Sequence, residues 1–285
     1  MKIGIDSYCY HRLFGEVYPG QRTPDKLLAF EEFFVGIENL EIDGVSLESC
    51  FIPRFDAPYL REIKGHLDSL KMDRVYAWGH PDGLEGGRNP EAYEQMLEHI
   101  ESANALGADV MRVVGRSLQF RFEPHEPQIE RLSGMFEKAA QQASRYGIRL
   151  ALENHIDFNS EEILQIVKNV NSPYFGVNFD SGNFLRVLDD PIHAMEKLAP
   201  YVLATHIKDL MPVKDVPVNA WHFFSCVPTG RGFVNNRRLA EILSANGYSG
   251  FLAVEIDFLH PDYGAQEEWA VKESLKALRE IAREL

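Results

Sequence analysis

The stretch RLALENH (residues 149–155) joins a short apolar run to a polar residue at its end, the acidic Glu153. The same arrangement recurs in three later stretches: YFGVNFDSGN (174–183), VLATHIKD (202–209) and GFLAVEID (250–257). Apolar runs of this length are typical of buried strands. Because the strands of a barrel deliver their last side chains to one pocket, we expect the four terminal polar residues to meet. They are Glu153, Asp180, His206 and Glu255.

Outward from these stretches, strand-like and helix-like segments alternate along the chain. Strands are predicted near 2–6, 43–48, 73–78, 109–114, 148–153, 174–179, 202–207 and 251–256. Helices are predicted near 24–38, 58–71, 90–106, 127–146, 160–170, 190–198, 236–246 and 266–284. Eight βα units in 285 residues fit one closed α/β barrel, which takes about 250 residues. We therefore expect a single (β/α)8 TIM-barrel domain over residues 1–285.

The connections between these segments are unequal in length. Segments that follow strands are long, with loops at 11–23, 79–89, 115–126 and 210–234. Returns from helix to strand, such as LGAD (106–109), take only a few residues. Barrel enzymes build their active sites from the loops that follow the strands. This asymmetry predicts a pocket at the carboxyl ends of the strands, with the 210–234 segment as a lid.

Composition and charge exclude several classes of protein. The chain is 45% hydrophobic and 25% charged, with a formal net charge of −14. This acidic background disfavours nucleic acid and fits a small polar substrate better, and the small-molecule partner expected from the site described below is a carbohydrate. Three scattered cysteines indicate neither a disulfide framework nor a thiolate zinc site. No apolar run approaches the roughly 20 residues of a membrane span, and no signal peptide is evident, so we expect a cytoplasmic protein.

The four polar residues are spaced by 27, 26 and 49 residues, which fits strands five to eight of a barrel. Singly, each is best read as an ordinary polar residue at a strand end. Together, Glu153, Asp180, His206 and Glu255 indicate a site for one divalent metal ion. Three oxygen ligands and one nitrogen favour Mn²⁺ or Mg²⁺, and Co²⁺, Fe²⁺ or Zn²⁺ can use the same ligands.

Such a site suits proton transfer next to a carbonyl group. A cation that holds two vicinal oxygens of a hydroxy-ketone stabilises the cis-enediolate formed by deprotonation. Glu153 and Glu255 can each keep one oxygen free to take or return a proton. We therefore assign the catalytic positions to Glu153 and Glu255.

The chain resembles the xylose isomerase-like barrels of sugar isomerases and epimerases. The motifs that carry the resemblance are LEN (152–154), NFDSGN (178–183), HIKD (206–209) and VEID (254–257). The resemblance includes D-tagatose and D-psicose 3-epimerases and inosose-processing enzymes, and it covers nearly the whole chain. It implies a Mn²⁺-type ion bound by the same four residues and proton transfer by the two glutamates.

Two positions depart from the ketohexose epimerases that the chain resembles. Those enzymes have a histidine where this chain has Asn183 and an arginine where it has Pro212. A free ketohexose is therefore less favoured as substrate. Asn183 also removes a ligand of the zinc cluster in apurinic endonucleases, which weakens a nuclease function.

Further polar residues are candidates for binding substrate. They follow predicted strands or lie in the loops after them: Glu48, His80, Arg112, Asn183, Lys208 and Arg231. Arg112, Lys208 and Arg231 can meet an anionic group; Lys208 can instead form an ion pair with an acid of the barrel, and Arg112 and Arg231 can instead be surface charges. The glycines of TGRG (229–232) are weak evidence for a phosphate cradle and fit a lid hinge better.

The leading hypothesis is a metal-dependent isomerase or epimerase of a keto-sugar or cyclic polyol derivative. A dehydratase or other lyase that eliminates from the same enediolate is the alternative. A metal-dependent nuclease and a noncatalytic sugar-binding barrel rank below both. Homo-oligomers are common among such barrels, but the sequence does not indicate an interface.

Overall fold

The eight predicted strands form one closed parallel barrel in the computed structural model, which describes residues 1–80 and 82–285. The barrel strands are β1 (Lys2–Asp6), β2 (Gly44–Glu48), β3 (Asp73–Ala77), β4 (Val110–Val114), β5 (Arg149–Glu153), β6 (Phe175–Asp180), β7 (Val202–Ile207) and β10 (Phe251–Val254). Strand β10 pairs with both β7 and β1 and so closes the barrel. The predicted (β/α)8 TIM barrel is confirmed.

The described residues form nine α-helices, and all but the short helix after β6, which was not predicted, lie close to their predicted positions. They are α1 (Phe30–Glu38), α2 (Ala57–Ser69), α3 (Pro90–Leu106), α4 (His125–Ser144), α5 (Ser160–Val170), α6 (Ser181–Arg186), α7 (Pro191–Leu198), α8 (Asn236–Ala245) and α9 (Glu267–Arg283). Helix α1 begins six residues later than predicted. The amide of Leu28 donates to the carbonyl of Leu13, which ties this segment to the loop after β1 and keeps it out of the helix.

The predicted lid segment contains structure of its own. Strands β8 (Asp209–Pro212) and β9 (Phe224–Val227) form an antiparallel hairpin within it. The carboxylate of Asp209 accepts hydrogen bonds from the amides of Gly230, Gly232 and Val234 at 2.8–3.0 Å. Because these amides are occupied by the protein's own carboxylate, the TGRG segment is neither a phosphate cradle nor a free hinge.

Side chains alternate along each strand, so every second residue points into the barrel. Inside, an apolar cluster is formed by Val75, Val110, Ala151, Ala204, Phe251 and Ala253. Arg112, Glu153, His206 and Glu255 each stand two residues after a member of this cluster. The polar layer of the barrel therefore lies directly on an apolar layer, at the carboxyl ends of the strands.

The predicted loop 79–89 lies after β3, and Pro81 within it falls outside the described residues. Within the described part of the chain, no helix has both the length and the apolar character needed to cross a bilayer.

We expect Gly4→Ala to destabilise the barrel strongly. A Cβ atom at Gly4 would lie 2.2 Å from the backbone carbonyl oxygen of Gly44 and 2.6 Å from the ring of Phe251. Overpacking of this kind costs about 3 kcal/mol. Chemical denaturation measures the loss in free energy of unfolding.

Gly36→Ala is the matched control, since a Cβ atom added there, on the exposed face of α1, would have no other atom within 4 Å. This change should stabilise the protein by about 0.5–1 kcal/mol because alanine favours the helix. Equal stability of the Gly4→Ala variant and the parent would contradict the barrel packing described above.

Candidate metal centre

Four side chains converge where β5, β6, β7 and β10 end. One ligand atom from each of Glu153, Asp180, His206 and Glu255 lies within 4.8 Å of all the others. The Nδ1 atom of His206 is 3.4 Å from Glu153 Oε1, 3.8 Å from Asp180 Oδ2 and 2.7 Å from Glu255 Oε2. All four side chains are buried. The structure thus brings together the four residues that the sequence singles out.

The donor set of this cluster fits a divalent metal ion. His206 Nδ1, Glu153 Oε2 and Glu255 Oε2 are buried atoms that make ion-pair contacts but no hydrogen bond of regular geometry among the described residues. Buried polar atoms are normally satisfied, and facing carboxylates repel one another unless a cation lies between them. A divalent ion bound by three carboxylates and one imidazole meets both requirements.

Neighbouring residues orient two of the four side chains. Asp6, at the end of β1, places its Oδ2 atom 3.3 Å from Nε2 of His206. A carboxylate on that side favours a proton on Nε2, which leaves Nδ1 free to bind a metal. Asp180 caps helix α6, because its Oδ1 atom accepts from the amides of Gly182 and Asn183 at 2.8 Å. Its Oδ2 atom therefore points to the cluster.

Two buried cations flank the cluster. The ammonium of Lys208 lies 2.6 Å from Asp180 Oδ2, 3.1 Å from Glu255 Oε2 and 2.9 Å from Asp257 Oδ2. Nε of Arg112 lies 2.7 Å from Glu153 Oε2, and its guanidinium also binds Glu48. These pairs offset part of the cost of burying carboxylates at one end of the barrel.

The charges around the cluster shift the pKa values of its members. Burial opposes ionisation of Glu255, but His206 and Lys208 outweigh it and lower the pKa of Glu255 to about 2. Burial also opposes the charged form of His206, yet Glu255 and Glu153 raise its pKa well above the ordinary value. Without a metal ion, the histidine is therefore held as a cation among the carboxylates.

A cavity of about 550 Å³ opens beside the cluster. Five of the six predicted substrate-binding residues line it: Glu48, His80, Arg112, Asn183 and Lys208. Of the four ligands, Glu255 lines the cavity itself. Glu153 lies behind Arg112 and Asn183, whose Nδ2 is 3.4 Å from Glu153 Oε1. A substrate in this cavity therefore reaches Glu255 directly.

The sixth candidate, Arg231, lies elsewhere. Its guanidinium pairs with Glu273 at 2.9 Å and lies over the ring of Trp269, and it is not among the described residues that line the cavity. The folding of the TGRG segment around Asp209 directs Arg231 toward α9. The structure therefore does not bring Arg231 to the substrate, and its predicted place is corrected.

Several residues of the site escape the sequence reasoning. Asp6 ends β1 as Glu153 ends β5, so the strand-end rule extends to it. Asp257 stands two residues after Glu255, as Lys208 stands two after His206, and this spacing also signals it. Arg186 gives no such signal: its guanidinium binds Asp257 bidentately across 71 residues of chain.

Comparison with known proteins agrees with this architecture. Inosose dehydratase of Clostridium perfringens (strain ATCC 13124) is 24% identical over 235 residues, which cover 75% of this chain and 78% of that enzyme. The 3-oxo-isoapionate decarboxylase of Pectobacterium atrosepticum is 23% identical over 163 residues. That match spans 57% of this chain and 57% of the decarboxylase.

Solved structures share the fold. The structure of a D-psicose 3-epimerase superposes with a TM-score of 0.73 and 15% identity, and the match covers 98% of this chain and 97% of the epimerase. The family model of the xylose isomerase-like TIM barrel matches residues 35–281. The chain belongs to the xylose isomerase-like TIM barrel family.

Proposed function

We propose that this protein is a divalent-metal-dependent isomerase or epimerase of a keto-sugar or cyclic polyol derivative. The observation that carries the proposal is the placement of Glu153 and Glu255 around His206. The two carboxylates end β5 and β10, which are separated in the barrel by β6 and β7. Each has a buried oxygen that contacts a cation of the protein without a regular hydrogen bond among the described residues. Two carboxylates on different sides of one site can take a proton from a carbon and return one to it.

The metal ion in this proposal is held by Glu153, Asp180, His206 and Glu255. When bound, a divalent cation supplies stabilisation for negative charge that develops on substrate oxygens. Mn²⁺ suits the mixed set of three carboxylates and one imidazole best, and Mg²⁺, Co²⁺, Fe²⁺ and Zn²⁺ are outcomes to be tested. Asp180 and His206 serve mainly to hold the ion, because hydrogen bonds and contacts fix both side chains from behind.

The two glutamates have unequal access to substrate. Glu255 lines the cavity, so we assign the first proton transfer to it. Arg112 holds Glu153 Oε2, and this contact keeps the carboxylate ionised: burial opposes ionisation, but Arg112 and His206 lower the pKa of Glu153 well below its usual range. As the second member of the pair, Glu153 would return to carbon a proton that it has first taken from a substrate hydroxyl group or from solvent. Glu48, His80 and Asn183 line the same cavity and are proposed to bind substrate hydroxyls.

A lyase is the second candidate, and the named relatives favour it. One is a dehydratase, a class of enzyme that expels water, and the other is a decarboxylase, a class that expels carbon dioxide. The residues that take the first proton are the same in both candidates. What separates them is the fate of the deprotonated substrate, which either regains a proton or expels a neighbouring group.

We expect metal binding to strengthen as the pH rises. The raised pKa of His206 keeps the metal-free ring protonated at neutral pH, and the ring must lose its proton to bind a cation. About one proton should therefore leave His206 for each Mn²⁺ ion bound near pH 7. Calorimetric titration in two buffers of different ionisation enthalpy measures this release.

His206→Gln should abolish that proton release and weaken Mn²⁺ binding, while His193→Gln, at an exposed site on α7, should change neither. Mn²⁺ should also raise the melting temperature of the parent protein, and a chelator should reverse the increase. Unchanged metal affinity in the His206→Gln variant would contradict the ligand set.

We expect the metal-loaded protein to exchange a carbon-bound proton of its substrate with solvent. Incubation in D2O with D-fructose, D-psicose, D-tagatose and scyllo-inosose, followed by mass spectrometry, detects the exchange. Glu255→Gln should lower the rate by at least about 100-fold, in line with the loss of a general base. Glu273→Gln, which removes the partner of Arg231, is the control and should leave the rate unchanged.

The identity of the product decides between the two candidates. An isomerase or epimerase returns a compound of unchanged mass, shifted only by deuterium, whereas a dehydratase yields a product lighter by one water. NMR and mass analysis of the same reaction distinguish these results. A dehydrated product would contradict the isomerase proposal in favour of the dehydratase, and Glu255 would still be assigned the first proton transfer.

A further inference from the structure

The basic residues of the cavity are already engaged by carboxylates of the protein. Lys208 has three N–H bonds and faces three carboxylate oxygens at 2.6, 2.9 and 3.1 Å, from Asp180, Asp257 and Glu255. The contact with Asp180 is a hydrogen bond and the other two are ion-pair contacts, so the charge of Lys208 is already balanced by acids of the protein. Lys208 is thus an internal counterion.

Arg112 is engaged in the same way. Its Nε atom faces Glu153 Oε2 at 2.7 Å, one terminal nitrogen donates to Glu48 Oε1 at 2.5 Å, and the other donates to the carbonyl of Trp78 at 2.9 Å. The guanidinium group, which binds phosphate or carboxylate bidentately in other sites, is directed here toward Glu48 and Glu153. Three of the five N–H groups of Arg112 are therefore directed to groups of the protein, and two of these contacts are with buried carboxyl groups.

Acidic residues outnumber basic ones in the cavity wall. The acids among the described lining residues are Glu16, Glu48, Asp82, Glu255 and Asp257, against Arg112 and Lys208. The charge of a divalent ion is itself exceeded by its three carboxylate ligands. A phosphate or carboxylate group would meet repulsion of like charges in a partly buried site.

One of these acids, Glu16, is held in place as a hydrogen-bond acceptor. The hydroxyl groups of Tyr8 and Tyr18 both donate to Oε1 of Glu16 at 2.9 Å. The ring of Tyr18 in turn contacts Trp221 edge-on, with ring centroids 5.0 Å apart. No hydrogen bond to Oε2 of Glu16 is formed by the described residues, although the side chain lines the cavity. A held carboxylate with one unshared oxygen suits donors such as sugar hydroxyls.

We propose that the cavity selects an uncharged polyhydroxylated ketone over a phosphorylated or carboxylated one, and that Glu16, held by Tyr8 and Tyr18, binds its hydroxyl groups. This inference rests on the proposed function and names its substrate class. Glu16 lies in the loop between β1 and α1, so it binds substrate from a part of the fold that supplies none of the four proposed metal ligands.

Calorimetric titration of the Mg²⁺-loaded protein tests the selection for charge. The neutral probes are D-fructose, D-psicose, D-tagatose and scyllo-inosose, and the charged probe is D-fructose 6-phosphate. We expect the best neutral probe to bind at least about tenfold more tightly than the phosphate ester. Equal or tighter binding of D-fructose 6-phosphate, or no binding of any neutral probe, would overturn the inference.

Variants of Glu16 test its part in recognition. Glu16→Gln should raise the Kd and KM of the best neutral probe about tenfold and change kcat by less than about twofold, since it removes a charged acceptor outside the proton-transfer pair. The double variant Tyr8→Phe, Tyr18→Phe keeps the Glu16 carboxylate but removes the two hydroxyl groups that fix its position. It should therefore also raise the Kd of the best neutral probe. A Kd that is unchanged by Glu16→Gln would sink the assignment.

Glu31→Gln is the matched control, because Glu31 accepts a hydrogen bond from Tyr59 at 2.9 Å on the surface of α1 and does not line the cavity. Its Kd and KM should equal those of the parent. The experiment separates the two proposals: binding of a neutral probe without solvent exchange contradicts the chemistry but not the selection. Exchange with D-fructose 6-phosphate alone contradicts the selection but not the chemistry.

Discussion

Six buried carboxylates surround the candidate metal centre at one end of this barrel, and their mutual repulsion is the constraint around which the rest of the site is arranged. They belong to Asp6, Glu48, Glu153, Asp180, Glu255 and Asp257. An ionised carboxylate away from water is costly unless cations or hydrogen-bond donors surround it. Three cations of the protein, Arg112, Arg186 and Lys208, neutralise part of this negative charge. The clustered ligand atoms of Glu153, Asp180, His206 and Glu255 are close enough to one another to bind a divalent ion as well.

The barrel makes this concentration of charge possible. Because side chains alternate along a strand, Ala151 and Ala204 fill the interior below while Glu153 and His206 occupy the next layer above. Parallel strands put all these second layers at the same end. The hydrophobic layer beneath keeps water from the lower side of the cluster. The four ligands are consequently held by strands, which are the most rigid parts of the fold.

The sequence predicted what depends on strand order and alternation, and it missed what depends on contacts between loops. Glu153 and His206 were identifiable because each ends an apolar run, and the barrel then brings those ends together. Arg186 was not identifiable, because its partner lies 71 residues away and its helix, α6, is only six residues long. Glu16 was missed for the same reason: its importance comes from two tyrosine hydroxyls that the folded loop brings to one oxygen.

Arg112 shows why residue type alone does not identify a substrate anchor. An arginine at a strand end next to a predicted pocket fits two cases, a ligand for a substrate anion and a counterion for a buried carboxylate. Its contacts with Glu48 and Glu153 place it in the second case. The same reasoning applies to the glycines around Asp209, whose amides bind a carboxylate of the protein rather than a phosphate. A basic side chain or a backbone amide in such a barrel indicates an anionic substrate only if no buried carboxylate of the protein already binds it. Recognition of a neutral substrate then falls to acceptors in the loops, which vary among barrels that share the same strand-end ligands.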